Sequence, residues 1–135
     1  MSTESFWEDR NLGQKIVDVL GGVTYVEPDH HFGRPFVTAY QLAVLFKERF
    51  REDFCDFGHP VGGKGSGVQF SLTSYLAGQL SAKIKSGEIT NIEGRFLSNR
   101  QLLNIEFDDY GKTITSSLTD SQYDLSMFRL RDPID

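Results

Sequence analysis

The hydrophobic period of this chain changes from helical to alternating after Gly87, and that change limits the fold more than any other feature. Ahead of it, Leu72, Leu76, Leu80 and Ile84 recur at every fourth position, the spacing of a helix face. Beyond it, Leu103, Ile105 and Phe107 alternate with Asn104 and Glu106, the spacing of a half-buried strand. Helices first and strands second predict a small α+β domain, with an antiparallel sheet following the helices rather than βαβ units around a parallel sheet. With 135 residues, the chain is expected to form a single domain over 1–135, large enough to bury a core without a disulfide or metal.

Local signals divide the helical part. Residues 1–22 read as helix in pieces, with Asn11 and Gln14 as a cap pair and Leu12, Ile16, Val19 and Leu20 on one face before Gly21-Gly22. Val23 to Val26 suits a short strand, and Asp29 to Pro35 a loop. Thr38 with Gln41 is a capping box for a long helix. It carries Leu42, Phe46, Phe50 and Phe54 along one side, with Phe57 nearby and Gly58 as its stop. Eleven Phe are present, and this helix is their main cluster. After a glycine-rich connector, Val68-Gln69-Phe70 reads as a short extended piece. Ser71 then caps a helix that runs to Ser86. Glu93–Leu97, a hairpin through Asp108-Asp109-Tyr110-Gly111 into Lys112–Leu118, and a strand from Tyr123 to about Leu130 complete the sheet. Residues 131–135 read as a frayed tail. Two helices feeding a β-hairpin also resemble the winged-helix arrangement, which would make the Leu103–Leu118 hairpin, with Arg95, Arg100 and Lys112 near it, the wing.

The net charge of -5 argues at first against nucleic acid. Counting by segment changes this: residues 1–34 carry -3, residues 35–100 carry +2 and residues 101–135 carry -4. The middle, with both strong helices, is mildly basic between an acidic N-terminal region and an acidic C-terminal third. A locally basic face matters more for phosphate contact than net charge. A lone cysteine, Cys55, and an acidic N-terminus without an apolar run fit a cytoplasmic protein. No apolar stretch approaches the ~20 residues that span a bilayer, so no membrane partner is expected.

Three sets of residues carry candidate chemistry. Gly58 to Gly65 nearly fits the P-loop pattern, but Gly65 stands where the magnesium-binding hydroxyl belongs and the following helix starts late. The looser expectation is an anion-binding loop of Gly62, Gly63, Lys64 and Gly65, set against a plain connector. The Ser71–Ser86 helix offers small and hydroxyl side chains on its outward side, Thr73, Ser74, Ala77, Gly78 and Ser81, with Gln79, Lys83 and Lys85. Such a face lets a helix approach a duplex closely. It also suits packing against another helix. The nucleic-acid contacts expected are Lys64, Ser74, Gln79, Lys83 and Lys85. His30, His31, Cys55 and His59 are too few and wrongly spaced for a zinc site, and a nucleophilic thiol would need a cleft.

The pattern therefore favours a regulatory or binding protein over an enzyme, with no catalytic residue, metal or cofactor expected. Its partner is expected to be nucleic acid, bound through a winged-helix-like core. The alternative partner is another protein, as for an immunity or antitoxin-type inhibitor or an assembly subunit with acidic flanks. A small enzyme using the His/Cys loop is the third reading.

Overall fold

Capping chemistry and packing set the elements of the computed structural model, which describes residues 3–24, 31–64, 70–117 and 124–131, of which 3–5 in backbone alone. Helices α1 (Thr3–Asp9) and α2 (Leu12–Gly21) meet at Asn11, which adopts a left-handed conformation at φ 52° and makes no side-chain cap bond. The cap pair expected there is absent. Gln14 instead donates to Asp18. The strand expected over Val23–Val26 is likewise absent at Val23 and Thr24, and its other two residues lie outside the described ones. So do Val68 and Gln69 of the expected extended piece, and Tyr123 at the start of the last expected strand.

The first strand is β1 (Val37–Thr38), and it runs straight into α3 (Ala39–Arg49). Thr38 Oγ1 accepts from the Gln41 amide, and Gln41 Oε1 accepts from the Thr38 amide, so the capping box is formed. The long phenylalanine helix is broken. At Phe50 the backbone leaves the helix (φ -122°, ψ 61°), and α4 (Arg51–Phe57) resumes beyond it. A row of residues four apart drifts round a helix of 3.6 residues per turn, so one straight helix would carry the later rings off the core. After the break, Phe46 is fully buried, and Phe50, Phe54 and Phe57 pack half-buried on the core. Asp53, buried on α4, is held by Arg10 at 3.3 Å and Lys15 at 2.6 Å, which tie α4 to the first two helices.

Helix α5 (Leu72–Ser86) packs on α3 and leads into β2 (Ile92–Leu97). Strands β3 (Glu106–Asp109) and β4 (Lys112–Thr115) form a hairpin closed by Tyr110 and Gly111, both at positive φ. Strand β5 (Leu125–Leu130) returns between the other two, giving an antiparallel sheet in the order β1-β5-β2, with Val37 opposite Phe128 and Gly94 also opposite Phe128. The fold is a single small α+β domain. Its core joins Leu12, Ile16 and Leu20 of α2, Leu42 and Phe46 of α3, and Leu72, Leu76 and Leu80 of α5 to Ile92 and Phe128 of the sheet. Each such side chain contributes roughly 1.5–3 kcal/mol relative to exposure.

The hairpin expected as a wing does not extend the sheet of β2 and β5. It folds back on α3, where Phe107 stacks on Tyr40 at 5.1 Å and the Tyr40 hydroxyl accepts from the Ser117 amide. Buried Asp109 accepts from Lys47 through both oxygens, at 2.7 and 2.6 Å. Half-buried Phe107 gains the Tyr40 ring there, a contact that a hairpin projecting into water would lose. Arg131, expected in the frayed tail, donates its amide to the Asn91 carbonyl, and the rest of that tail, 132–135, lies outside the described residues. Among the described residues, no helix is long and apolar enough to cross a membrane.

Candidate nucleic-acid interface

Helix α5 begins where the Ser71 hydroxyl accepts from the Ser74 amide and Ser74 Oγ accepts from the Ser71 amide. It stops at Gly87, left-handed at φ 84°. Ser71 and Gly87 are both legible in the sequence as cap and stop. The Ser74 side chain also donates to the Ser71 carbonyl, so its hydroxyl is part of the cap as well as of the surface.

The helix sorts the expected contacts into three groups. Ser74, Gly78, Ser81 and Lys85 are exposed and lie four, three and four residues apart, one outward strip. Gln79 is half-buried at its flank. Lys83 and Thr73 face inward. Lys83 is buried, with Nζ 3.1 Å from Glu88 and 5.4 Å from the centre of the Trp7 ring. It lies eleven positions after Leu72, about three turns, so it shares the core face. Its methylene stem packs while its amine finds a carboxylate and an aromatic ring. It is therefore corrected from a phosphate contact to a packing residue. Thr73 is buried with its Oγ1 unpartnered, although its amide donates to the Val61 carbonyl.

The glycine loop is built for packing. A Cβ on Gly62 would sit 2.7 Å from the Ser71 side chain, and one on Gly63 would sit 2.7 Å from Ile114 Cγ2. Both residues are at positive φ, 113° and 117°. The Lys64 amide, needed by an amide nest, donates to the Thr115 carbonyl at 2.8 Å. The loop is thus pinned to β4, and Gly65 lies outside the described residues. Lys64 does not join the α5 strip: with Lys47 and Lys112 it lines a separate cavity of about 370 Å³ that also contains Asp109.

Beside α5, a groove of about 320 Å³ runs between Ser81, Ile84 and Lys85 and the β2–β5 pair, where Arg95 and Phe96 line it. Phe96 is 71% exposed. At the other end of α5, Tyr75 is buried against Phe6, Trp7, Phe57 and Phe70. Burial pushes its hydroxyl pKa up to about 12.

The His/Cys set does not assemble. Cys55 is exposed on α4, His59 packs edge-on to Phe70 at 4.8 Å, His31 packs on Phe32, and His30 lies outside the described residues. Among the described residues no group of three or more His, Cys, Asp and Glu side chains could hold a metal ion. Glu93, Arg129 and Arg131, which belong to no motif of the sequence, meet on the sheet. The alternation of Phe128 and Leu130 with Arg129 and Arg131 was the available signal. No family model, curated protein or solved structure matches the chain.

Proposed function

We propose that the protein is a nucleic-acid-binding module, winged-helix-like in its order of elements but with its hairpin folded on α3, that offers the outward strip of α5 to a duplex. The observation that carries this reading is connectivity: two helices, the edge strand β1, three helices, then the antiparallel pair β2 and β5 joined through the β3–β4 hairpin, with β5 entering the sheet between β1 and β2. In that arrangement α5, the last helix before the pair, is the recognition helix. Ser74, Gly78 and Ser81 are small enough to let its backbone approach a groove, Lys85 meets phosphate, and Gln79 is the side chain suited to a base edge. Lys83 and Lys64 are not part of this surface.

Fluorescence anisotropy of a labelled random duplex at low salt tests the reading. Binding in the micromolar range that weakens steeply with salt is expected. Ser81→Glu with Lys85→Glu should abolish it. No binding at micromolar protein overturns it.

A second reading, docking of a partner protein, is favoured by exposed Phe96 beside the α5–β2 groove. Phe96→Asp separates the two: it should leave duplex binding intact if Phe96 serves a protein partner, and weaken it if the groove takes part in duplex contact.

A further inference from the structure

The outward side of the β2–β5 pair carries a charge arrangement that the core does not require. Side chains alternate along a strand, so Ile92, Gly94 and Phe128 take the helix side while Glu93, Arg95 and Arg129 take the other. The register places Glu93 directly opposite Arg129. Glu93 is only 8% exposed, and three guanidinium groups surround it. Arg129 approaches Oε2 with Nε at 3.1 Å and Nη2 at 2.9 Å. Arg131 Nη1 is 3.1 Å from Oε1, and Arg95 Nη2 is 3.8 Å from the same oxygen.

The three arginines have different roles. Arg129 Nη1 donates to the Phe32 and Arg34 carbonyls at 2.7 and 3.0 Å, and its guanidinium lies 4.4 Å from the centre of the Phe36 ring. It fastens the segment before β1 to the sheet. Arg131 and Arg95 fasten less: their side chains are 48% and 60% exposed, and the nearest backbone bond of the Arg95 side chain is to the Gly94 carbonyl next to it. Both reach toward one carboxylate oxygen, so their guanidinium groups stand close together. One carboxylate cannot balance three cations, and Glu93 is the only carboxylate paired with any of them among the described residues. Like charges held near each other and partly out of water repel, and a second anion between them relieves that repulsion. Guanidinium forks match phosphate oxygens in geometry as well as charge.

We infer that Arg95 and Arg131 form a clamp for a phosphate ester group on the outer side of the sheet, held in place by Glu93. The ligand is either a free phosphorylated small molecule or a backbone phosphate of a nucleic acid. This inference does not depend on duplex binding by α5.

The test is a ¹H–¹⁵N NMR titration of the full chain with inorganic pyrophosphate at low salt, repeated on Arg95→Gln/Arg131→Gln and on Arg95→Gln alone. Saturable shifts at the amides of Asn91 to Arg95 and Arg129 to Arg131 are expected, with affinity lowered at least tenfold in the double variant. The single variant, at the most exposed of the three arginines, keeps the test valid if the double variant fails to fold, and should weaken binding severalfold. Absence of saturable shifts, or the same shifts and affinity in the variants, overturns the inference. A duplex arm separates the sources. A free phosphorylated ligand leaves duplex affinity unchanged in the double variant, and a backbone phosphate lowers duplex and pyrophosphate affinity together.

Discussion

On the helix side of β2 and β5, Gly94 lies beneath the Phe128 ring and the end of Ile84, close enough that a Cβ there would touch both. On the opposite side, one residue along in each strand, Glu93 faces Arg129, and its carboxylate is nearly as enclosed as the apolar groups. The two sides share a backbone and a register, but they hold the fold in different ways. The helix side gains from area removed from water and tolerates no loss of volume. The outer side gains from one carboxylate satisfied by several donors, and it retains cationic groups beyond those the lock needs. Stability is therefore concentrated on the first side and capacity for anions on the second.

The largest expected effect lies on the helix side. Phe128→Ala should cost roughly 3–5 kcal/mol, read from the urea midpoint, because the ring is buried against Gly94 and the core. A cost under about 1 kcal/mol would mean that the sheet is not packed on α5 as described. Glu93→Gln comes next, at roughly 2–3 kcal/mol, since it leaves Arg129 and Arg131 beside an amide. A neutral result would show that the outer lock contributes nothing. The third effect depends on pH. Tyr75 holds its proton to about pH 12 in the folded chain, whereas its ordinary value is 10.0. Its contribution to stability is complete below pH 10 and is lost as pH rises through 12. Tyr75→Phe should flatten that alkaline loss in thermal melts. Thr73→Val should then stabilise by up to about 1 kcal/mol, because it replaces an unpartnered buried hydroxyl with a methyl group of similar shape. The smallest effect belongs to the outer rim: Arg95→Gln should change the midpoint by no more than about 0.5 kcal/mol. A larger loss would make Arg95 part of the lock rather than of a clamp.

Features set by neighbouring residues are legible in the sequence. Thr38 with Gln41, Ser71, Gly58 and Gly87 act through bonds that close within a turn, so residue type and spacing suffice. The hairpin turn at Tyr110-Gly111 is of the same kind. Features set by distant contacts are not legible in this way. A strand of two residues, Val37 and Thr38, exists because β5, about ninety residues later, pairs with it. The helix break at Phe50 comes from fitting four aromatic rings around one core, which a row of phenylalanines does not reveal. On α5 the expected strip is present at Ser74, Gly78, Ser81 and Lys85, while Lys83 leaves it because its charge suggests water and its position dictates the core. The loop lysine departs from expectation for a related reason. Its neighbouring glycines suggest ligand chemistry, and they are needed for close contact with Ser71 and Ile114.

The most direct test of duplex binding by α5 is an NMR titration of the labelled chain with a short random duplex at low salt, read residue by residue. The expected result is a contiguous set of shifted amides at Ser74, Gly78, Ser81 and Lys85, with Leu76 and Leu80 changing less and the set shrinking as salt is raised. Shifts that leave the α5 strip unmoved, or no shifts at micromolar duplex, would contradict it.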